Sequence, residues 1–398
     1  MNQRSPVEDQ YNSYSYPEPG NDIETWQRSY NYNQYDPSIY GTTFWPEGRP
    51  KSRLNILVAG CGTMQAAVLA FNNPNCQFIG IDFSEASIRH EEMLRDRHRL
   101  KNLTLRHMNI MDVETIGEKF DLIISSGVLH HLPDPSSGLK SLAAVLDPTY
   151  GAMVLMLYGK FARSGVYALQ DIFRRLKIPQ SPIGVATVRK MIDRLSPRHP
   201  GRQYYESSFE MKFDAAIVDT FLHPQDVAYS VTDILELIEE NGLFFQGWID
   251  PLSYNDNIDG LNYSISDHDI WQINENINGA MTTHSFIVSH LERSEKTKIS
   301  FSSNSWSEYY PTRSPFLEIS PFNPLKIIRG KHEMTLTQQE MSFLMETDGR
   351  KSIKEILKTK RFAHTPRNDL SNIARSFYER MWRHGHCLVS KVPVKSIS

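Results

Sequence analysis

The stretch from Leu54 to Phe83, LNILVAGCGTMQAAVLAFNNPNCQFIGIDF, constrains this chain more than any other. Leu54–Ala59 is a near-continuous apolar run, the pattern of a parallel strand buried on both faces. It stops at Gly60-Cys61-Gly62, where small residues let the backbone turn sharply and approach a ligand. Gln65 to Ala70 reads as a helix of good formers and small residues. A second apolar strand, Cys76–Ile81, ends at Asp82, about 20 residues after the glycines. An acid at that distance suits a carboxylate that holds ribose hydroxyls at the tip of the second strand. A glycine turn alone is weak; strand, GxG, helix, strand and acid in order are specific.

The pattern continues as alternating strands and helices, which predicts a parallel sheet covered on both faces. Ser84 is a natural N-cap with Glu85 in the first turn of a helix over about 85–99. Leu103–Met108 reads as the third strand, Phe120–Ser125 as the fourth and Ala152–Tyr158 as the fifth. Asp134-Pro135 opens a helix whose Leu139, Leu142, Ala143 and Leu146 share one face. A ligand crevice belongs at the carboxyl ends of these strands. That places Gly60, Asp82, Asn109, Ser125 to His131 and Tyr158 around one mouth.

VAGCGT, GIDFS and FDLIISSGVLHHL together resemble the core of the class I S-adenosylmethionine-dependent methyltransferases. The resemblance covers residues 50–160 well and reaches loosely to about 292. It implies an α/β, doubly wound, mostly parallel seven-stranded Rossmann-like sheet, with S-adenosylmethionine as cofactor. It also implies cofactor contacts from Gly60, Cys61, Gly62, Asp82, Phe83, Asn109, Ile110, Ser125 and Ser126. Two positions depart from the family. Val58 stands where an acid is usual, and Met64 stands in place of a third glycine. Asn109 lies near the usual acid for the adenine amino group and could accept through its amide oxygen; Asp112 is the alternative.

Beyond the core, a capping-box pattern at Ser230 and Asp233 precedes a helix over Ile234–Glu240 that stops at Asn241-Gly242. Leu243–Ile249 and Thr283–His290 then read as strands six and seven. This makes 51–292 the catalytic domain, with acceptor-side insertions at 159–229 and 250–281. Residues 1–50, poor in aliphatics and rich in Tyr and Asn, read as a disordered arm or as an aromatic lid. Residues 293–325 are rich in Ser, Asn and Pro and read as a linker. Two capping-box patterns and the face Leu370, Ile373, Ala374, Phe377, Tyr378 and Met381 follow. With a final strand, Cys387–Val392, they make 326–398 a small helical module of winged-helix type.

Methyl transfer needs the acceptor lone pair aligned behind the methyl carbon, and a base only where the acceptor must lose a proton early. His131, at the end of the fourth strand, is the candidate base. His130 and His223 are weaker ones, and packing is the plain alternative for each. A small-molecule acceptor under the arm and the 159–229 insertion is the primary expectation. A protein acceptor docked by the C-terminal module, or cofactor binding without turnover, are the alternatives.

The net charge of −3 over 398 residues argues against nucleic acid as a partner. Cys61, Cys76 and Cys387 show no metal-ligand spacing, which fits a reducing, cytoplasmic setting and no structural zinc. No run approaches the roughly 20 apolar residues of a membrane span.

Overall fold

Each apolar run takes its place in one sheet. The computed structural model describes residues 6–30, 35–255, 265–363 and 366–394. Its strands are β1 (Asn55–Ala59), β2 (Gln77–Asp82), β3 (Leu103–His107), β4 (Leu122–Ser126), β5 (Ala152–Tyr158), β6 (Leu243–Trp248) and β7 (Thr283–His290). They lie in the order β3-β2-β1-β4-β5-β7-β6. The first five are parallel, and β7 runs antiparallel to both β5 and β6. The strand order reverses at β1, which pairs with β2 on one side and β4 on the other. A crevice therefore opens beyond the carboxyl ends of β1 and β4.

Alternation along each strand divides the core between the two faces of the sheet. Leu57 and Ala59 pack with Ile79, Ile81 and Ile123 on one side. Ile56 and Val58 pack with Phe78, Leu122 and Ile124 on the other. Val58, in place of the family's acid, is a fully buried core residue. The caps behave as their sequences require. Ser84 accepts from the Ser87 amide, Asp134 from Ser137, and Ser230 forms its reciprocal box with Asp233. The helix capped by Ser230 starts at Val231, three residues before the expected Ile234, because that cap sits at its true N-terminus.

The 159–229 insertion folds into a helical lobe of its own. Helices Ser164–Arg175, Pro182–Asp193, Pro200–Ser207 and Asp214–Phe221 close around Leu169, Phe173, Val188, Ile217 and Phe221. The arm packs against this lobe through Tyr14 and Tyr16. From the second insertion, helix Asp267–Asn278 packs against helix Val231–Glu240 rather than over the crevice. Residues 256–264 of that insertion lie outside the described residues.

The expected linker is corrected by the structure. Phe301, Trp306 and Tyr309 join the same core as Phe343, Phe377, Tyr378 and Met381. β8 (Tyr310–Arg313) pairs with the final strand β12 (Cys387–Ser390), and β9 (Glu318–Ile319), β10 (Lys326–Arg329) and β11 (His332–Thr335) form a small antiparallel sheet. Aromatic residues buried among the Ser and Pro of 293–325 make that stretch structural. The helices Gln338–Glu346, Ile353–Ile356 and Arg367–Arg383 complete this C-terminal body, and both expected capping boxes are present. It is tied to the sheet domain by Ser390, whose hydroxyl donates to the Pro46 carbonyl, and by the Arg329–Asp250 and Arg383–Asp267 ion pairs.

Candidate active site

The turn after β1 is built for close approach. Gly60 and Gly62 have φ of +72° and +58°, in the left-handed region that glycine adopts without strain. A Cβ on Gly60 would lie 2.2 Å from Val128 Cγ2. One on Gly62 would lie 3.3 Å from the Tyr16 carbonyl oxygen and from Pro17 Cδ, so the arm passes directly over the turn. Between arm, turn and helical lobe lies a cavity of about 1130 Å³.

Asp82 sits at the tip of β2, 7% exposed. Its Oδ2 accepts from the Gly62 amide at 2.9 Å and its Oδ1 from Ser84 at 2.8 Å. Burial raises its pKa, and those backbone donors oppose the rise. Each oxygen keeps a second lone pair for a ligand hydroxyl. Gly60, Cys61, Gly62, Phe83, Asn109, Ile110 and Ser126 also line the cavity. Asn109 Oδ1 is already engaged as the N-cap of the turn after β3, accepting from Met111 at 2.9 Å. Ser125, expected beside Ser126, does not line the cavity. It is buried away from the cavity, because neighbouring strand residues face opposite ways and Ser126 takes the cavity side.

The two adjacent histidines separate. His130 is fully buried and stacks on Tyr158 with ring centroids 3.8 Å apart. His131 lines the cavity, and its Nδ1 lies 3.1 Å from the Gln225 carbonyl. Burial lowers the pKa of both, so each ring is neutral at neutral pH. His223 stacks on His131 at 4.0 Å, with its pKa pushed down to about 3 by burial and by His131.

Asp219 was not legible as a site residue, because it lies mid-helix in an insertion with no motif. Its carboxylate takes the Tyr11 hydroxyl at 2.6 Å and the Tyr158 hydroxyl at 3.0 Å. Tyr11 thus comes from the arm, which also donates Tyr16 Oη–H to Glu210 at 2.6 Å. Donor atoms of His131, Asp219 and His223 lie within 4.8 Å of one another. Glu91 is the other residue missed. Its two oxygens accept from the Ala66 and Ala67 amides at 2.9 and 2.8 Å, capping the helix after the glycine turn. The signal was available: Ser87, Ile88, Glu91 and Leu94 recur on one buried helix face. Met64 also has a use, since its sulfur accepts the Gly20 amide of the arm at 3.2 Å. No helix among the described residues is long and apolar enough to cross a membrane.

Residues 50–164 match the family described as a methyltransferase domain. An uncharacterized protein of Synechococcus sp. is 30% identical over 251 residues, which are 60% of this chain and 58% of that protein. The ubiquinone biosynthesis O-methyltransferase of Rhodopseudomonas palustris is 32% identical over 120 residues, 29% of this chain and 44% of that protein. The chain therefore spans less than two thirds of the length of these curated relatives. PKMT2 from Rickettsia typhi shares the fold at a TM-score of 0.64 and 15% identity, over 89% of this chain and 76% of that one. Residues 50–164 are thus similar to a methyltransferase domain, and the shared fold extends to the C-terminal body.

Proposed function

We propose that this chain is an S-adenosylmethionine-dependent methyltransferase of class I whose acceptor is a small molecule. The observation that carries the reading is the Gly60–Gly62 turn facing Asp82 across the wall of one large cavity. The cradle fits a nucleoside. Gly60 to Gly62 admit its close approach, Asp82 keeps lone pairs for ribose hydroxyls, and Asn109 and Ile110 stand where the adenine would lie. The wall carries Glu18, Asp82, Glu210 and Asp219 and no lysine or arginine among the described residues, a field that favours a sulfonium cation. A related fold, PKMT2 from Rickettsia typhi, has been solved in complex with AdoHcy, with a TM-score of 0.65.

When bound, S-adenosylmethionine supplies an electrophilic methyl group. The chain's own contribution is placement. The arm covers the cavity through Tyr11 and Tyr16 and excludes water. The helical lobe walls the acceptor side with Tyr204, Phe209 and Phe213. Fixing the acceptor in line with the methyl carbon supplies most of the acceleration.

A protein acceptor is the second reading. The C-terminal body favours it by presenting Phe322 almost fully exposed, beside the partly exposed Phe316 and Ile319. The module of winged-helix type expected at 326–398 would then serve docking. Tritium-labelled S-adenosylmethionine, incubated with the enzyme and a size-fractionated cell extract, separates the two. Label in the low-mass fraction supports the small-molecule reading, and label confined to macromolecules overturns it.

A further inference from the structure

Three phenols at the lobe end of the cavity have their protons committed to carboxylates. Tyr11 donates to Asp219 Oδ1 at 2.6 Å, Tyr158 to Asp219 Oδ2 at 3.0 Å, and Tyr16 to Glu210 at 2.6 Å. All three are partly exposed and line the cavity. Burial, and then the carboxylate beside each, raise their pKa values, so the phenols stay protonated. Tyr16 and Tyr158 both act electrostatically on Tyr11, which puts the three hydroxyls in one neighbourhood. A phenol whose proton is held by a carboxylate turns only lone pairs to a ligand. Tyr158 is also fixed in direction. His130 and the Arg163 guanidinium each lie 3.8 Å from its ring centroid, and one face cannot take both. Both faces are therefore covered, and the hydroxyl edge meets the cavity. Arg163 does not line the cavity, and Asp226 matches its charge. Lys212 rests on the Phe209 ring at 3.3 Å and likewise stays out of the lining. Burial keeps His131 neutral, so this end offers two carboxylates, three phenol acceptors and no cationic side chain among the described residues.

Resting on the methyltransferase reading above, we propose that Tyr11, Tyr16 and Tyr158, backed by Asp219 and Glu210, select a hydrogen-bearing amine nitrogen as the methyl acceptor. A protonated primary amine brings three N–H donors and a positive charge to oxygens that can only accept. A hydroxyl brings one donor and no charge. A carboxylate or phosphate brings no donor and meets two like charges. Once the ammonium is bound, one proton passes to water and the freed lone pair forms the new bond from nitrogen to the methyl carbon. The sulfur–methyl bond breaks with its electron pair passing to sulfur. Positive charge thus moves from sulfur to nitrogen, toward the phenols and the carboxylates behind them, which favours the transfer.

The labelled extract reaction tests the assignment once unspent cofactor is removed. The product is heated in hydriodic acid, which frees oxygen-bound methyl as volatile methyl iodide. A parallel extract is first treated with the N-hydroxysuccinimide ester of acetic acid, which acylates primary and secondary amines. Involatile label that the acylated extract no longer takes up is the expected result. Volatile label, or full labelling of the acylated extract, overturns the proposal and leaves the methyltransferase reading intact. Amine label confined to macromolecules supports the amine assignment and overturns only the small-molecule reading. Failure of the native protein to bind S-adenosylmethionine would instead defeat the underlying methyltransferase reading. Y158F keeps the clamped ring and removes one acceptor oxygen. It should raise the KM for the extract's acceptor about tenfold, with S-adenosylmethionine affinity unchanged. An unchanged acceptor KM, or an equal loss of cofactor affinity, counts against the proposal.

Discussion

Glu91 is a carboxylic acid with no solvent contact, held against the first amides of the helix that follows the glycine turn. Burial lifts its pKa to about 8, against the pull of those two amides. The folded chain therefore keeps this proton between the usual carboxylate range and about 8, where the unfolded chain has lost it. The stability it contributes is complete at low pH and is lost as pH rises through that window. The slope reaches ~1.4 kcal/mol per pH unit. Urea unfolding across this window should show the native protein losing stability with pH, with a smaller loss in E91Q. Equal slopes would show that Glu91 is ionised throughout. Gly60 gives a second prediction at this scale. G60A combines a left-handed backbone with a Cβ at 2.2 Å from Val128 Cγ2, and should cost on the order of 3 kcal/mol in the same assay. A loss under ~1 kcal/mol would mean the turn relaxes freely.

At the scale of elements, the sheet was legible because each strand is an apolar run that ends in a recognisable turn. β5 and β7 have the bounds that their sequences predict, and Ser84, Asp134 and Ser230 cap as expected. The acceptor side was not legible. Asp219 and Tyr11 are 208 positions apart, and only the tertiary fold brings them to one hydrogen bond. The linker reading failed for a related reason. Trp306 and Tyr309 lie among turn-forming residues, and their burial depends on a helix some 70 residues later. The arm gives the prediction here. Its strap joins the turn to the lobe through the Thr63 hydroxyl, which donates to the Pro17 carbonyl, and through Tyr11 and Tyr16. A Y11F/Y16F double variant loses two charge-assisted hydrogen bonds of roughly 1.5–3 kcal/mol each. Limited proteolysis should then cut the arm faster than in the native protein. An unchanged rate would mean that the arm is held elsewhere.

For the whole molecule, the buried aromatic residues Phe301, Trp306 and Tyr309 and the β8–β12 pairing make the C-terminal body begin before residue 310. A chain ending at 325 would leave Phe301, Trp306 and Tyr309 without their core and should aggregate, whereas one ending at 298 should be better behaved. Size-exclusion chromatography of the two compares them directly. If both behave alike, the stretch is a linker after all. Above these details stands one claim, that the crevice beyond β1 and β4 binds S-adenosylmethionine through the glycine turn and Asp82. Calorimetric titration of S-adenosylmethionine into the native protein and into D82A tests it most directly. Saturable binding by the native protein that D82A loses is the predicted result. No binding by the native protein would contradict the claim, and binding that D82A retains would remove Asp82 from the site.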